Sequence, residues 1–251
     1  MNKKKILVFL SHKVGFECLK FLLKKFKGDS YYVILTNNEL KNNEIKKFLK
    51  EKKIKYNFFT KNIEKIIIKT NIKYDWIINL WGSIIIKKEI LNKSRNSLNI
   101  HPGYLPNTRG KDPVYWAMKL EEFAGVTLHQ MNEKVDEGKI WYRKKIFYKS
   151  PVKGKDLYQR VLKECVLFFK EKWGIIRNTK KKPFKQKRIR KTFKRKDMLS
   201  QRFIDLDKNN NLKNFFLNIL SHDYTPNYSS RIKFKKKIYN IDINLRKKDE
   251  K

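Results

Sequence analysis

The sequence predicts an α/β fold in which helices cover both faces of a mostly parallel, doubly wound sheet. Short runs of apolar residues alternate with segments whose apolar residues recur at helical spacing. The connections between the two kinds of segment are short. The apolar runs are also continuous rather than alternating, which is typical of strands that are buried on both faces.

The predicted elements follow one another from the N-terminus as strand and helix in turn. The first five strands are the runs at residues 5–10, 31–36, 55–60, 74–82 and 97–101. The helices between them fall at residues 15–26, 42–54, 62–72 and 87–93, where apolar residues recur every three or four positions. Two further strands, at residues 125–131 and 139–148, precede a long amphipathic helix at residues 155–173.

The pattern changes from about Arg188 onward. A short helix at residues 209–222 follows a run of asparagines, and residues 224–245 resemble a turn and a hairpin. A unit of roughly 60 residues is small for an independent core, so it is expected to pack on the main domain. We therefore predict a main domain at residues 1–178, a basic linker at residues 179–196 and a small C-terminal α+β subdomain at residues 197–251.

The chain is strongly basic, with 62 Lys and Arg against 24 Asp and Glu, a net charge of +38. Such a charge favours a polyanionic partner. The excess is spread along the whole chain, however, which favours lysine as a general surface residue. The densest stretch, Thr179–Lys196, is here called the basic segment. It holds eleven Lys and Arg and no acid, and we interpret it as a linker or exposed extension rather than a phosphate-binding surface.

The two cysteines, Cys18 and Cys165, lie far apart and form neither a disulfide framework nor a metal-binding motif. A reducing compartment is therefore expected. The apolar run after the N-terminal lysines is five residues long, too short for a signal peptide. The most apolar region, residues 76–86, is too short to span a bilayer. A soluble, cytoplasmic protein that holds no metal and contacts no membrane is expected.

Polar residues gather at the end of the fifth predicted strand. Asn99 and His101 are two residues apart, so their side chains point to the same face, and Pro102 ends the strand. Ligands of open α/β sheets bind at the carboxyl ends of strands. An amide and an imidazole there can stabilise a developing oxyanion, and the imidazole can move protons near neutral pH. Taken alone, however, such a pair is more often a structural feature of a strand end.

Two further features strengthen the functional interpretation. Residues 103–113 contain two glycines and two prolines and are expected to form a loop of defined shape. Asp136 falls in a turn before the last strand of the main domain. A turn aspartate that bonds its own backbone would have the same appearance.

In combination these motifs resemble the folate-dependent formyltransferase family. They are N-x-H-P-x-x-L-P at 99–106, R-G at 109–110, G-V-T-x-H at 125–129 and V-D-x-G-x-I at 135–140. The match covers about residues 75–145, and the strand order before it agrees. Gly103 departs from the family, which usually has serine there. The resemblance implies a Rossmann-like formyltransferase domain, with 10-formyltetrahydrofolate as the formyl donor.

The resemblance also implies catalytic roles for Asn99, His101 and Asp136. Direct attack by a neutral amine on the formyl carbon needs no covalent acyl-enzyme. The Asn99 amide and protonated His101 would hold the oxyanion. Asp136 would orient His101, favour its charged form and help to relay the amine proton to the leaving nitrogen.

The same resemblance implies where the two substrates lie. The pterin ring of the donor would contact the segments 82–87 and 132–135; the predicted contacts there are Gly82, Ile84, Ile85, Lys87, Asn132, Glu133 and Val135. The first strand-to-helix turn and the loop after the fifth strand would contact the acceptor; the residues predicted to do so are Ser11, His12, Lys13, Gly103, Tyr104, Arg109 and Lys111. His129 is interpreted as a strand or supporting histidine, and no partner is assigned to His222.

The loop motif and the short tail look most like those of nucleotide-sugar N-formyltransferases, so a nucleotide-diphosphate amino-dideoxy sugar is the expected acceptor. Methionyl-tRNA formyltransferases share the motif but usually carry a longer C-terminal barrel, while the net charge favours that alternative. A nucleic-acid-binding protein without catalysis is a third possibility, and it would make the Asn-His-Asp set incidental. The sequence does not fix the oligomeric state and allows a homodimer.

Overall fold

A computed structural model of the chain describes residues 2–36, 43–178, 182–187, 191–206, 211–224 and 228–246. Its main sheet has seven strands in the order β3-β2-β1-β4-β5-β6-β7. They are β1 (Lys5–Leu10), β2 (Ser30–Leu35), β3 (Lys55–Phe58), β4 (Trp76–Leu80), β5 (Ser97–His101), β6 (Ala124–His129) and β7 (Ile140–Ile146). The first five pair in parallel, and β6 and β7 pair antiparallel. This confirms the predicted α/β fold class.

Within the described ranges, six helices accompany this sheet. They are α1 (His12–Lys25), α2 (Asn43–Glu51), α3 (Lys61–Lys69), α4 (Lys88–Leu91), α5 (Pro113–Lys119) and α6 (Gly154–Asn178). The helix α5 was not predicted from the sequence, and α6 runs five residues past the predicted end at Trp173. The predicted start of α2 at Asn42 lies outside the described residues.

The core lies on both faces of the sheet. Along β1, Ile6, Val8 and Leu10 belong to a cluster that includes the buried sides of α1 and α6. Leu7 and Phe9 belong to the opposite cluster, which includes residues of α3 and α4. This arrangement explains why β1 is continuously apolar. On the first face the ring of Trp173, from α6, lies 5.2 Å from that of Trp76, so α6 packs on the same face of the sheet as α1.

The C-terminal unit contains α7 (Arg195–Ser200), α8 (Leu212–His222) and a three-stranded sheet. Its strands are β8 (Phe203–Ile204), β9 (Ser230–Phe234) and β10 (Lys237–Ile241), and β9 and β10 form the predicted hairpin. The unit packs on the main domain as expected, because the ring of His222 lies 4.5 Å from that of Tyr115. Residues 207–210, 225–227 and 247–251 of this region are outside the described ranges.

The described part of the basic segment, residues 182–187 and 191–196, lies against the main domain. Phe184 exchanges two backbone hydrogen bonds with Ile140, and Phe193 bonds the backbone of Arg109 and Lys111. The Phe193 ring stacks on Trp116 with a centroid separation of 4.0 Å. Most of these residues are exposed, but Phe184 and Phe193 have specific partners in the main domain. The interpretation as a linker stays a prediction. The domain boundaries at 178 and 196 stay a prediction, and residues 179–181 and 188–190 are not among those described.

A buried ion pair between Arg177 and Asp29 lies at the end of α6. The Arg177 guanidinium donates to both carboxylate oxygens of Asp29, one at 2.8 Å, and to the Asn2 carbonyl at 2.9 Å. The two side chains are only 2% and 1% exposed. Arg177 therefore joins the end of α6 to the turn before β2 and to the N-terminal residues.

Cys18 and Cys165 are both free and buried. Burial raises the pKa of each thiol, as expected for cysteines that serve as apolar core residues. Across the described ranges, no helix combines the length and apolar character that crossing a bilayer requires.

Candidate active site

The site lies where the sheet changes from parallel to antiparallel pairing. The strand β5 pairs in parallel with β4 and antiparallel with β6. This register places Asn99 opposite Asn79 on one side and opposite His129 on the other. Polar side chains from three strands therefore meet at the carboxyl end of β5, the position at which open α/β sheets hold ligands.

Asp136 reaches this point from the turn between β6 and β7. Its Oδ2 lies 3.4 Å from His101 Nδ1 and accepts a hydrogen bond from the Gly110 N–H at 3.0 Å. Its Oδ1 lies 3.5 Å from Asn99 Nδ2. The residue has φ +54°, a left-handed conformation that aspartate adopts more readily than most residues. The three residues predicted to be catalytic are thus brought together.

Burial acts to raise the pKa of Asp136, but three neighbours outweigh it. The charge of His101 and the hydrogen bond and charge of His129, which act whenever these rings are protonated, and the Gly110 N–H together lower that pKa well below its usual range. Asp136 is therefore an ionised carboxylate at neutral pH, although its side chain is only 12% exposed. The site holds a fixed negative charge beside two imidazoles.

His129, predicted from the sequence to be a strand or supporting histidine, lies in the same cluster. Its Nδ1 lies 2.6 Å from the Gln130 carbonyl oxygen, which only accepts, so Nδ1 carries the hydrogen. Its Nε2 is then an acceptor, and it lies 3.0 Å from Asn99 Nδ2. One N–H of the Asn99 amide therefore donates to His129. The other N–H faces Asp136 at 3.5 Å, a separation at the outer limit for a hydrogen bond.

His101 is only 3% exposed and contacts two acceptors. The Thr108 carbonyl oxygen lies 2.8 Å from its Nε2, so the neutral ring keeps its hydrogen there. The Nδ1 atom is then a proton acceptor that faces Asp136. Burial lowers the pKa of His101 below its usual 6.5, although Asp136 and the Thr108 carbonyl oppose this. Burial therefore favours the neutral ring in the resting site, and the protonated His101 expected beside the oxyanion stays a prediction.

We expect His101 to titrate below pH 6.5 in the folded protein, because burial favours the uncharged ring. Nuclear magnetic resonance of protein labelled with carbon-13 in its histidines measures the midpoint directly and requires no substrate. The His101→Gln variant identifies the signal by its disappearance. A midpoint above 6.5 would show instead that Asp136 outweighs burial.

An open cavity of about 110 Å³ adjoins the cluster. Five of the residues predicted to hold the pterin ring line it, namely Ile84, Ile85, Asn132, Glu133 and Val135, together with Asn99, His129 and Asp136. Apolar walls beside backbone groups and carboxylates fit a flat heteroaromatic ring. The other two predicted contacts, Gly82 and Lys87, do not line it. The Gly82 N–H donates to Asn79 Oδ1 at 2.7 Å, and Lys87 forms an ion pair with Glu64 at 2.8 Å.

The residues predicted to contact the acceptor differ in their exposure, and some are already bonded within the protein. Ser11 is fully buried and donates its hydroxyl hydrogen to the Trp81 carbonyl. A direct bond from this hydroxyl to a phosphate would require that bond to break. His12, which begins α1 with φ +58°, and Lys13 are both exposed. Lys111 is also exposed, and its backbone N–H donates to the Phe193 carbonyl at 2.9 Å.

The remaining predicted contacts lie in the loop after β5. A Cβ atom on Gly103 would come within 2.6 Å of His101 Nε2, so this loop passes directly over the imidazole. The Arg143 guanidinium lies over the Tyr104 ring at 4.5 Å. Arg109 is fully buried and donates to Glu137 Oε1 at 3.0 Å and to Gln186 Oε1 at 3.2 Å. These bonds hold the loop in place, and a contact between Arg109 and the acceptor stays a prediction.

Comparison with known proteins identifies the family of the chain that carries this site. The family model described as formyl transferase matches residues 25–171. The bifunctional polymyxin resistance protein ArnA of Wigglesworthia glossinidia brevipalpis is 30% identical over 167 residues, which are 62% of this chain and 25% of that protein. The methionyl-tRNA formyltransferase of Ehrlichia ruminantium (strain Gardel) is 40% identical over 74 residues, which are 29% and 24% of the two chains. The chain thus spans about a quarter of the length of these curated relatives.

Solved structures are similar over nearly the whole chain. A 4-N formyltransferase from Francisella tularensis has a TM-score of 0.83 at 22% identity and covers 97% of this chain and 98% of its own. The N-formyltransferase from Helicobacter canadensis, in complex with folinic acid and dTDP-3-aminofucose, has a TM-score of 0.69 at 20% identity and covers 94% and 85%. At these identities the likeness establishes a shared fold.

Proposed function

Because the chain belongs to the formyl transferase family, which it matches over residues 25–171, we propose that it formylates the amine of a nucleotide-linked amino-dideoxy sugar. The donor is 10-formyltetrahydrofolate, which supplies a formyl group on nitrogen. The observation that carries the proposal is the convergence of Asn99, His101 and Asp136 beside the cavity lined by Ile84, Ile85 and Val135.

The Asn99 amide supplies the oxyanion contact. His129 holds one of its N–H groups at 3.0 Å, which fixes the orientation of the amide. The second N–H is only loosely engaged by Asp136 at 3.5 Å and is free to donate to an oxygen that becomes negative in the cavity. A fixed donor in a partly buried site stabilises such an oxygen without having to reorient during the reaction.

The pair His101 and Asp136 moves the proton of the amine. In the neutral ring the acceptor atom Nδ1 lies 3.4 Å from Asp136 Oδ2. A proton released by the attacking amine can reach Nδ1 by way of the Asp136 carboxylate, and there it bridges the two side chains. The charged ring that results is stabilised by Asp136 and can return the proton to the leaving nitrogen.

The structural neighbours support a sugar nucleotide as the acceptor. The Francisella 4-N formyltransferase shares its fold with this chain over 98% of its own length. The Helicobacter enzyme binds dTDP-3-aminofucose in its structure. The net charge of +38 favours tRNA as the second candidate.

The test is to incubate the protein with 10-formyltetrahydrofolate and a panel of nucleotide-linked amino sugars, with methionyl-tRNA in a parallel reaction. The proposal expects a formylated sugar nucleotide, detected by mass spectrometry. If only the charged tRNA were formylated, the acceptor would be tRNA and the sugar proposal would be wrong. Tight RNA binding without transfer to any amine would identify a non-catalytic nucleic-acid-binding protein.

Replacing Asn99 by aspartate is expected to lower kcat by about 10²–10³, because a carboxylate has no N–H to donate to the oxyanion. The KM values for donor and acceptor should change little, since the side chain keeps its size. Steady-state kinetics measures both parameters. Asn240→Asp, on the exposed strand β10, is the matched control and should retain full activity. A kcat within tenfold of the parent would contradict the oxyanion role.

A further inference from the structure

Gln186, in the described part of the basic segment, contacts the turn that carries Asp136. Its side-chain Nε2 donates to the Asp136 carbonyl at 2.8 Å and to the Gly138 carbonyl at 2.9 Å. Its Oε1 accepts from the Arg109 guanidinium at 3.2 Å. All three hydrogen-bonding groups of this amide are therefore directed at the loops that border the site.

These contacts complete a closed set of hydrogen bonds around Asp136. The carboxylate accepts from the Gly110 N–H, and Gly110 follows Arg109 directly. Arg109 bonds Gln186, and Gln186 returns to the backbone of Asp136. Both ends of the aspartate, the carbonyl group and the carboxylate, are thus fixed relative to the loop that covers His101.

The turn requires such support. Asp136 holds the left-handed conformation at φ +54°. For any residue with a Cβ atom this conformation costs free energy, so it persists only where the surrounding contacts stabilise it. Gly138, two residues later, passes so close to β6 that an added Cβ atom would lie 1.7 Å from the Gln130 carbonyl oxygen. Gln186 therefore binds the carbonyl of Gly138 at this close approach and the carbonyl of Asp136 two residues before it.

We propose that Gln186 is a positioning residue for formyl transfer, which holds Asp136 at the distance from His101 that proton transfer needs. The proposal rests on the proposed function. Gln186 does not line the cavity, so it acts through Asp136. The described part of the basic segment is in this way a component of the active site, although its composition resembles that of a linker.

The most selective test is Gln186→Glu. A glutamate still accepts from Arg109, but it has no hydrogen to donate to the two carbonyls, so only the contacts with the turn are lost. Gln186→Met, which removes all the hydrogen bonds and keeps the length, is the second variant. Gln159→Met, on the exposed side of α6, is the matched control. We expect both Gln186 variants to lower kcat by about 10–100-fold, because a displacement near 1 Å at a reacting group can cost this much, while both KM values stay within about threefold.

The histidine titration described above separates this proposal from the proposed function, because it needs no substrate. If Gln186 holds Asp136 against His101, the His101 midpoint falls in the uncharged Gln186→Met variant, since Asp136 acts to raise it. An unchanged midpoint together with unchanged kcat would overturn the positioning role. If the parent protein formylates no acceptor, the proposed function fails, and the midpoint alone decides whether Gln186 positions Asp136.

Discussion

The Asp136→Asn protein is expected to lose formyl transfer by about 10²–10⁴ in kcat/KM, the contribution typical of a positioned acid–base group. Asparagine keeps the shape of the side chain but has no negative charge to stabilise a proton on His101 Nδ1. Steady-state kinetics with the best acceptor of the panel measures the loss. The His101 midpoint should also fall further below 6.5, because the Asp136 charge is the largest influence that raises the pKa of His101 against the effect of burial.

Asp156→Asn is the matched control for this prediction. Asp156 lies in the first turn of α6 and is exposed, so its replacement should leave both kcat/KM and the His101 midpoint unchanged. A tenfold effect or less in the Asp136 variant would show that the carboxylate is not needed for the chemistry. The Asn-His-Asp cluster would then be a structural network rather than the reacting centre.

Arg177→Met is expected to lower the free energy of unfolding by about 3–5 kcal/mol, the usual cost of leaving one partner of a buried ion pair unpaired. Asp29, 1% exposed at its side chain, would keep the Lys4 N–H at 2.9 Å but lose its cation. Urea denaturation followed by circular dichroism measures the change.

The double variant Asp29→Asn, Arg177→Met tests the cause. Asparagine retains an oxygen for the Lys4 N–H and carries no charge, so a large part of the lost stability should return. If the free energy of unfolding of the single Arg177→Met variant lay within 1 kcal/mol of the parent value, water would have to reach Asp29. If the double variant were as unstable as the single one, lost packing of the Arg177 side chain would be the cause instead.

The sequence predicted the main sheet well because a parallel strand must be apolar on both faces, and that pattern is visible in any window of five residues. It did not predict α5, because the Pro and Gly residues that precede Pro113 indicate a loop. Proline at the first position of a helix was the available signal. The predicted end of α6 was early because the last apolar contacts, such as Ile176, follow a glycine at position 174.

The candidate site was only partly accessible to sequence reasoning. Asn99 and His101 share a strand, so their common face follows from the period of two. Asp136 arrives from a distant turn, and only the resemblance to a family linked it to them. The roles of His129 and Gln186 depend on strand register and on the path of the basic segment, neither of which a local pattern encodes. A lysine-rich composition also obscured the few residues of that segment that have specific partners.

The position of α6 has a consequence for how the protein is made. Of the strands of this sheet, β1 leaves the ribosome first and becomes an interior strand, yet the face it shares with Trp76 is completed only by a helix that begins at Gly154. Until α6 has emerged, part of that apolar face therefore stays unprotected in the nascent chain. Such a surface is a natural binding site for chaperones and a starting point for aggregation. Yield during expression should depend more on how quickly α6 emerges and docks than on the stability of the finished fold.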